Sequence, residues 1–179
     1  MFVDIGFEKN AFLHFWDALP AALDSGVEQV ERSGGKKEQK RITAKDIPSI
    51  YPVGSEVLVQ VTKGPISTKG ARVTSHVALP GRYVVYMPTV DHIGISKRIG
   101  NDQERRRLRE AIEAVKPPQG GFIVRTVATG LTKKQLKADV GYLVMQWEKV
   151  SQRKSEVRSA PAMLYEDLDI TLRVARDYF

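Results

Sequence analysis

The apolar residues of this chain keep two different periods, and the switch between them limits the folds open to it. Up to about residue 88 the pattern is short, near period two, and broken by glycine. Val57, Val59 and Val61 alternate with Glu56, Leu58 and Gln60; "ARVTSHVAL" returns after the glycine-flanked "KGPISTKG"; "RYVVYMP" stops at Pro88. Alternation of this kind sets every second side chain on one face of a strand. From Asn101 onward the period is helical. Asn101 with Glu104, and Thr132 with Gln135, have the spacing of a capping box. Leu136, Val140, Leu143, Val144 and Trp147 then recur at helical intervals. Pro117-Pro118 stops the first of these helices, and "GGFIVRTVA" reads as a strand between the two.

Many short strands with glycine turns suit a small closed sheet, and an OB-type barrel fits their number and size. The rest reads as α+β, with the boundary near residue 80. At the amino end "FVDIGFEKNAFLH" predicts short strands about a turn, and Asp17 to Leu23 a short helix. Residues 26–45 lose the apolar period. Gly34-Gly35 followed by Lys36, Lys37, Lys40 and Arg41 makes a basic loop, either a solvated insertion or a contact for an anion. Gly141 weakens the long helix by up to ~1 kcal/mol, which suggests close packing at that point. "AMLYE" reads as a further strand and "DLDITLRVARDYF" as a last helix, with Asp167 and Asp169 as first-turn acids.

Charge narrows the function classes. A net charge of +7 and a pI near 9.6 favour an anionic partner such as nucleic acid, against a plain basic enzyme or scaffold. There is no cysteine, which excludes disulfides, thiolate zinc sites and cysteine nucleophiles and suits a reducing cytoplasm. No stretch reaches the roughly 18 apolar residues of a membrane span. His14, His76 and His92 are the only histidines, and HExxH, GxSxG and GxxxxGK[ST] patterns do not occur. No carboxylate pair has the setting of a metal site. From its residues alone the chain is a binding unit, with catalytic residues: none.

Three places could hold an anion or a base. Phe2, Phe12 and His14 can share one strand face, stacking on bases at roughly 1–3 kcal/mol each, or the phenylalanines can fill the core. Lys69, at a hairpin tip, could reach a phosphate. Arg105, Arg106, Arg107 and Arg109 crowd one helix start, as a solvated face or a basic patch, while Arg98 lies off that helix beside glycine and serine. Arg125-Thr126 ends an apolar strand with a guanidinium and a hydroxyl. It is either an exposed strand end or a grip for a terminal phosphate.

"FVDIGFEKNAFLH", "VLVQVTKGPISTKGARVTSHVALPGRYVVYMP" and "GISKRI…GFIVRT", in this order, resemble the ribonuclease E/G family of bacterial endoribonucleases over nearly the whole chain. The resemblance implies an S-one-type OB domain over residues 1–79, its first strand missing, and a small α+β 5′-sensor domain over residues 80–179. It implies that Phe2, Phe12 and Lys69 contact RNA, with His14 where related barrels use a histidine. It further implies that Gly81, Val85, Arg125 and Thr126 hold a 5′-monophosphate, with Arg98 beside them. The partner expected is single-stranded RNA, preferably 5′-monophosphorylated. Family members also carry an RNase H-like part, a DNase I-like domain with magnesium-binding aspartates, and often a cysteine pair sharing zinc between subunits. The chain is therefore expected to be a fragment of a magnesium-dependent, oligomeric, cytoplasmic enzyme, binding RNA without cutting it. The alternatives are a stand-alone RNA-binding or assembly module, and a basic scaffold that binds protein at an open barrel edge.

Overall fold

A computed structural model describes residues 1–18, 46–167, 169, 171, 172 and 174. The basic loop near residues 26–45, most of the Asp17–Leu23 helix and most of the last helix lie outside the described residues. The architecture is α+β, with two mixed sheets and four helices among the described residues. Two compact units divide the chain between Val77 and Ala78.

The first unit contains β1 (Phe2–Val3), β2 (Ala11–Leu13), α1 (Phe15–Ala18), α2 (Ile47–Ile50), β3 (Gln60–Lys63) and β4 (Arg72–Thr74). Its sheet runs β1-β2-β4-β3, with β2 and β4 parallel and the other pairs antiparallel. Alternation decides the faces. Ala11, Leu13, Ala71 and Val73 are buried and pack with Ala18 and Ile47, while Phe12 and Arg72, between them in sequence, are exposed. The expected strand over Val57–Val61 forms only from Gln60, and a register shift between Val61 and Lys63 breaks its ladder. Among the described residues the sheet is open, with β1 and β3 at its edges, so the closed barrel expected from the pattern is not formed by these strands.

Gly70 lets the chain beside β4 run against the β2 approach. A Cβ there would run into the Asn10 carbonyl oxygen, far inside van der Waals contact. Backbone bonds then tie neighbouring strands together, Phe12 donating to the Ala71 carbonyl at 2.7 Å and Leu13 to that of Met1 at 2.9 Å.

The second unit contains β5 (Leu79–Pro80), β6 (Val84–Met87), β7 (Ile93–Ile95), α3 (Asp102–Glu113), β8 (Gly121–Val124), a 3₁₀ turn (Thr126–Ala128) and α4 (Lys133–Glu156). Its sheet order is β5-β6-β8-β7. The parallel pair β7-β8 is joined through α3, since parallel neighbours need a crossover. Val84, Tyr86, Ile95, Phe122 and Val124 meet Leu108 and Ile112 of α3 and Leu136, Val140 and Leu143 of α4 as the buried set of this unit. Tyr86 and Phe122 stack with centroids 4.7 Å apart.

Both helix starts follow the sequence, with one difference. Thr132 and Gln135 complete a reciprocal capping box. At α3 the Asn101 side chain accepts from the Gln103 and Glu104 amides, but the Glu104 carboxylate turns to Arg107, at 2.7 Å to both Nε and Nη2, and to the Gly130 amide at 2.9 Å. Two expectations fail. A Cβ on Gly141 would meet nothing within 4 Å, so packing does not demand glycine there. Ala162–Glu166 is not a strand, because no described strand lies alongside it.

Candidate nucleic-acid interface

The outer face of the first sheet carries a single cross-strand row. Phe2 pairs with Phe12, Phe12 with Arg72, and, beyond the register shift in β3, Arg72 with Lys63, so two rings and two cations lie side by side across all four strands. Neighbours in such a row have Cβ atoms about 5 Å apart, which lets their side chains act together. Phe2 is 76% exposed and Phe12 41% exposed, which places both rings outside the core. Their centroids are 6.0 Å apart in an edge-to-face pair. All four side chains line one groove of about 460 Å³, together with Asn10, Ile66, Thr68 and Lys69.

The elements explain the row. Ala11 and Leu13 are drawn inward, which forces Phe12 out, and the parallel pairing of β2 with β4 sets Arg72 against it. Lys69 reaches the groove because the Ile66–Lys69 bridge folds the hairpin tip back, with bonds of 3.1 and 2.9 Å between those two residues. His14 lies next to the groove, its ring 6.1 Å from that of Phe12. Thus Phe2, Phe12, His14 and Lys69 come together, while Arg72 and Lys63 join them without having been singled out by the sequence.

In the second unit the expected phosphate residues gather at one end of the sheet. Parallel β7 and β8 finish side by side, and antiparallel β6 begins there. That brings Gly81, the loop with Arg98, and Arg125-Thr126 to the same edge. Val85 pairs with Ile123 on the half-buried face, and Arg125 follows two residues beyond Ile123. Arg125 is more than an exposed strand end. Its amide extends the ladder to the Tyr83 carbonyl at 2.9 Å. Its Nη1 donates to the carbonyls of Gly81 at 2.8 Å and Arg82 at 3.3 Å.

The other side of this turn is held by an acid that the sequence reading passed over. Asp139 of α4 accepts the amides of Arg82 at 3.3 Å, Tyr83 at 2.8 Å and Val84 at 3.0 Å. Guanidinium and carboxylate therefore clamp the Gly81–Val84 turn, one by its carbonyls and one by its amides. A Cβ at 81 would stand 2.7 Å from Asp139 Oδ2 and 2.9 Å from Leu143 Cδ1, so a larger residue there would have to push these side chains aside. The signal was present: Asp139 is an acid set into the Leu136–Val140–Leu143 stripe.

The arginines of α3 are not a simple solvated face. Arg105 Nη1 donates to the carbonyls of Ser96 at 3.0 Å and Ile99 at 3.3 Å, fixing the loop that carries Arg98. Arg107 Nη1 donates to the Leu131 carbonyl at 2.8 Å. The Arg107 hydrogen bond, then that of the Gly130 amide, holds the Glu104 carboxyl down to about 2. At the opposite end of the sheet burial, with the Arg109 charge nearby, lowers His92 from its ordinary value. Among the described residues no group of three histidines or acids is placed to hold a metal ion, and no helix is long and apolar enough to cross a membrane.

Comparison with known proteins identifies the family of this chain. The family model described as "Ribonuclease E/G family" matches residues 78–179. Ribonuclease G of Escherichia coli is 41% identical over 177 residues, covering 99% of this chain and 34% of that protein. Ribonuclease G of Haemophilus influenzae is 38% identical over the same length. Ribonuclease E of Synechocystis sp. is 37% identical over 179 residues, 24% of its own length. The chain spans about a third of the ribonuclease G sequences it matches.

Proposed function

This chain belongs to the ribonuclease E/G family, and we propose that it is the region of such an endoribonuclease that holds single-stranded RNA and senses its 5′ end. The observation that supports the reading most directly is the cross-strand row Phe2–Phe12–Arg72–Lys63. Exposed rings accept bases of any sequence on their faces, and adjacent cations follow the phosphates, which together suit a single strand better than a duplex. The sheet is then the open part of an OB-type barrel, and Lys69 and His14 flank the path of the strand.

At the second site Arg125 and Thr126 receive the terminal phosphate. A guanidinium has five N–H donors in a fixed fork, and a phosphate at this edge would join or displace the Gly81 and Arg82 carbonyls as acceptors. Arg98 adds charge from the neighbouring loop, and Gly81 and Val85 shape the floor. Donors arranged for one phosphate would leave a triphosphate sterically and electrostatically misplaced. Phosphodiester cleavage belongs to other parts of the longer protein, where bound magnesium would activate water; the described residues supply binding and orientation.

Fluorescence titration with 5′-monophosphate and 5′-hydroxyl oligoribonucleotides tests the reading. The wild-type chain should prefer the phosphorylated end, and Arg125→Ala should abolish the preference while retaining the weaker binding common to both ends. Equal loss for the two ends would reduce Arg125 to a support of the turn. Binding of both should weaken steeply with salt, as phosphate contacts release counterions.

A further inference from the structure

The ring contacts do not stop at the sheet row. From Phe12 they pass to His14 at 6.1 Å, to Phe15 at 5.0 Å and to Trp16 at 4.4 Å between centroids. Phe15 is half-buried and packs on the core of the unit. Trp16 is 57% exposed, a large flat surface left in water.

The turn that presents it is firmly docked. Arg72 Nη2 pairs with Asp17 Oδ2 at 3.0 Å. The Asp17 carbonyl accepts from the Ser75 amide at 2.8 Å and from Ser75 Oγ at 2.9 Å. The Trp16 amide points to His14 Nδ1 at 3.4 Å. Arg72 thus belongs to both features: it is the first cation of the cross-strand row and the anchor of α1. An exposed tryptophan on a fixed support, joined by rings to a cation-lined groove, has the chemistry of a base-stacking position.

We propose that Trp16, braced by Phe15, is an additional stacking position that prolongs the Phe2–Phe12–His14 surface for a longer single strand of RNA. The proposal rests on the RNA-holding reading of this face and extends it. The cations Lys63, Lys69 and Arg72 lining the groove select a polyanion over an apolar protein segment as the occupant.

The test uses the full chain and 5′-hydroxyl oligouridylates of about four and about twelve nucleotides, within the span of one OB-sized site. The longer strand should quench wild-type tryptophan emission, and the quenching should vanish in Trp16→Phe. Trp16→Ala should weaken the longer strand roughly tenfold and leave the shorter one unchanged. Unquenched emission at saturation, or equal affinity of Trp16→Ala for the longer strand, overturns the proposal; if that variant fails to fold, the quenching decides. Phe12→Ala separates the two levels. Should it weaken both strands while Trp16 is silent, RNA holding stands and the extension falls. If it weakens neither, or if only an apolar peptide quenches Trp16, the RNA-holding reading falls as well.

Discussion

In the first sheet Phe2, Phe12, Arg72 and Lys63 face water, with the core on the far side of their strands. In the second, Arg125 and Asp139 are engaged with the backbone of the turn that forms the site. Apart from Arg72, which also anchors α1 through Asp17, one surface is laid over a finished fold, whereas the other is made of the bonds that finish it. Substitutions should therefore separate binding from stability in the first unit and fail to separate them in the second.

Adjacent residues of β2 give the widest contrast. Leu13 is fully buried and Phe12 is 41% exposed. Leu13→Ala should destabilise the first unit by about 2–5 kcal/mol through lost burial and the cavity left behind. Phe12→Ala should cost about 1 kcal/mol and yet lose more RNA affinity than any other single change on this face. Urea unfolding followed by tryptophan emission, beside an RNA titration, measures both. If Phe12→Ala destabilises as much as Leu13→Ala, the row is part of the core and the contrast disappears.

Asp139→Ala is next in size. It strips three amides of a charged acceptor, and hydrogen bonds to charged groups contribute about 1.5–3 kcal/mol each without full additivity. The expected loss is about 3 kcal/mol of stability in the second unit, together with the preference for a 5′-phosphate, because Arg125 then grips a turn no longer held from behind. Loss of the preference with unchanged stability would make Asp139 a binding residue and weaken the account of the clamp.

How much of this was legible follows the range of the forces concerned. Caps are local, so Asn101 and the Thr132–Gln135 box could be read from spacing. The Phe12–His14 relation is likewise a matter of two residues along one strand. Arg72 and Lys63 were not legible, because Arg72 comes beside Phe12 by parallel pairing across 60 residues of chain, and Lys63 beside Arg72 by antiparallel pairing past a register shift. The α3 arginines misled for a related reason. Composition shows their charge, while only tertiary approach shows that Arg105 and Arg107 donate to carbonyls. The strand expected at Ala162–Glu166 had the right residues, but no described strand lies alongside it. Extended backbone becomes a strand only when another strand satisfies its bonds.

Gly141 supplies the smallest effect and a control on the comparison. It lies inside α4, and a side chain there would meet nothing within 4 Å. Replacing it with alanine removes backbone freedom from the unfolded chain without a clash, so Gly141→Ala should stabilise the second unit by up to about 1 kcal/mol. The substitution touches neither the cross-strand row nor the clamped turn. Affinity for 5′-hydroxyl RNA and the preference for a 5′-phosphate should both stay at their wild-type values while the melting temperature rises. A gain in stability that also shifted the phosphate preference would show that α4 transmits strain to the Asp139 clamp, and the site could then no longer be described by its local bonds alone.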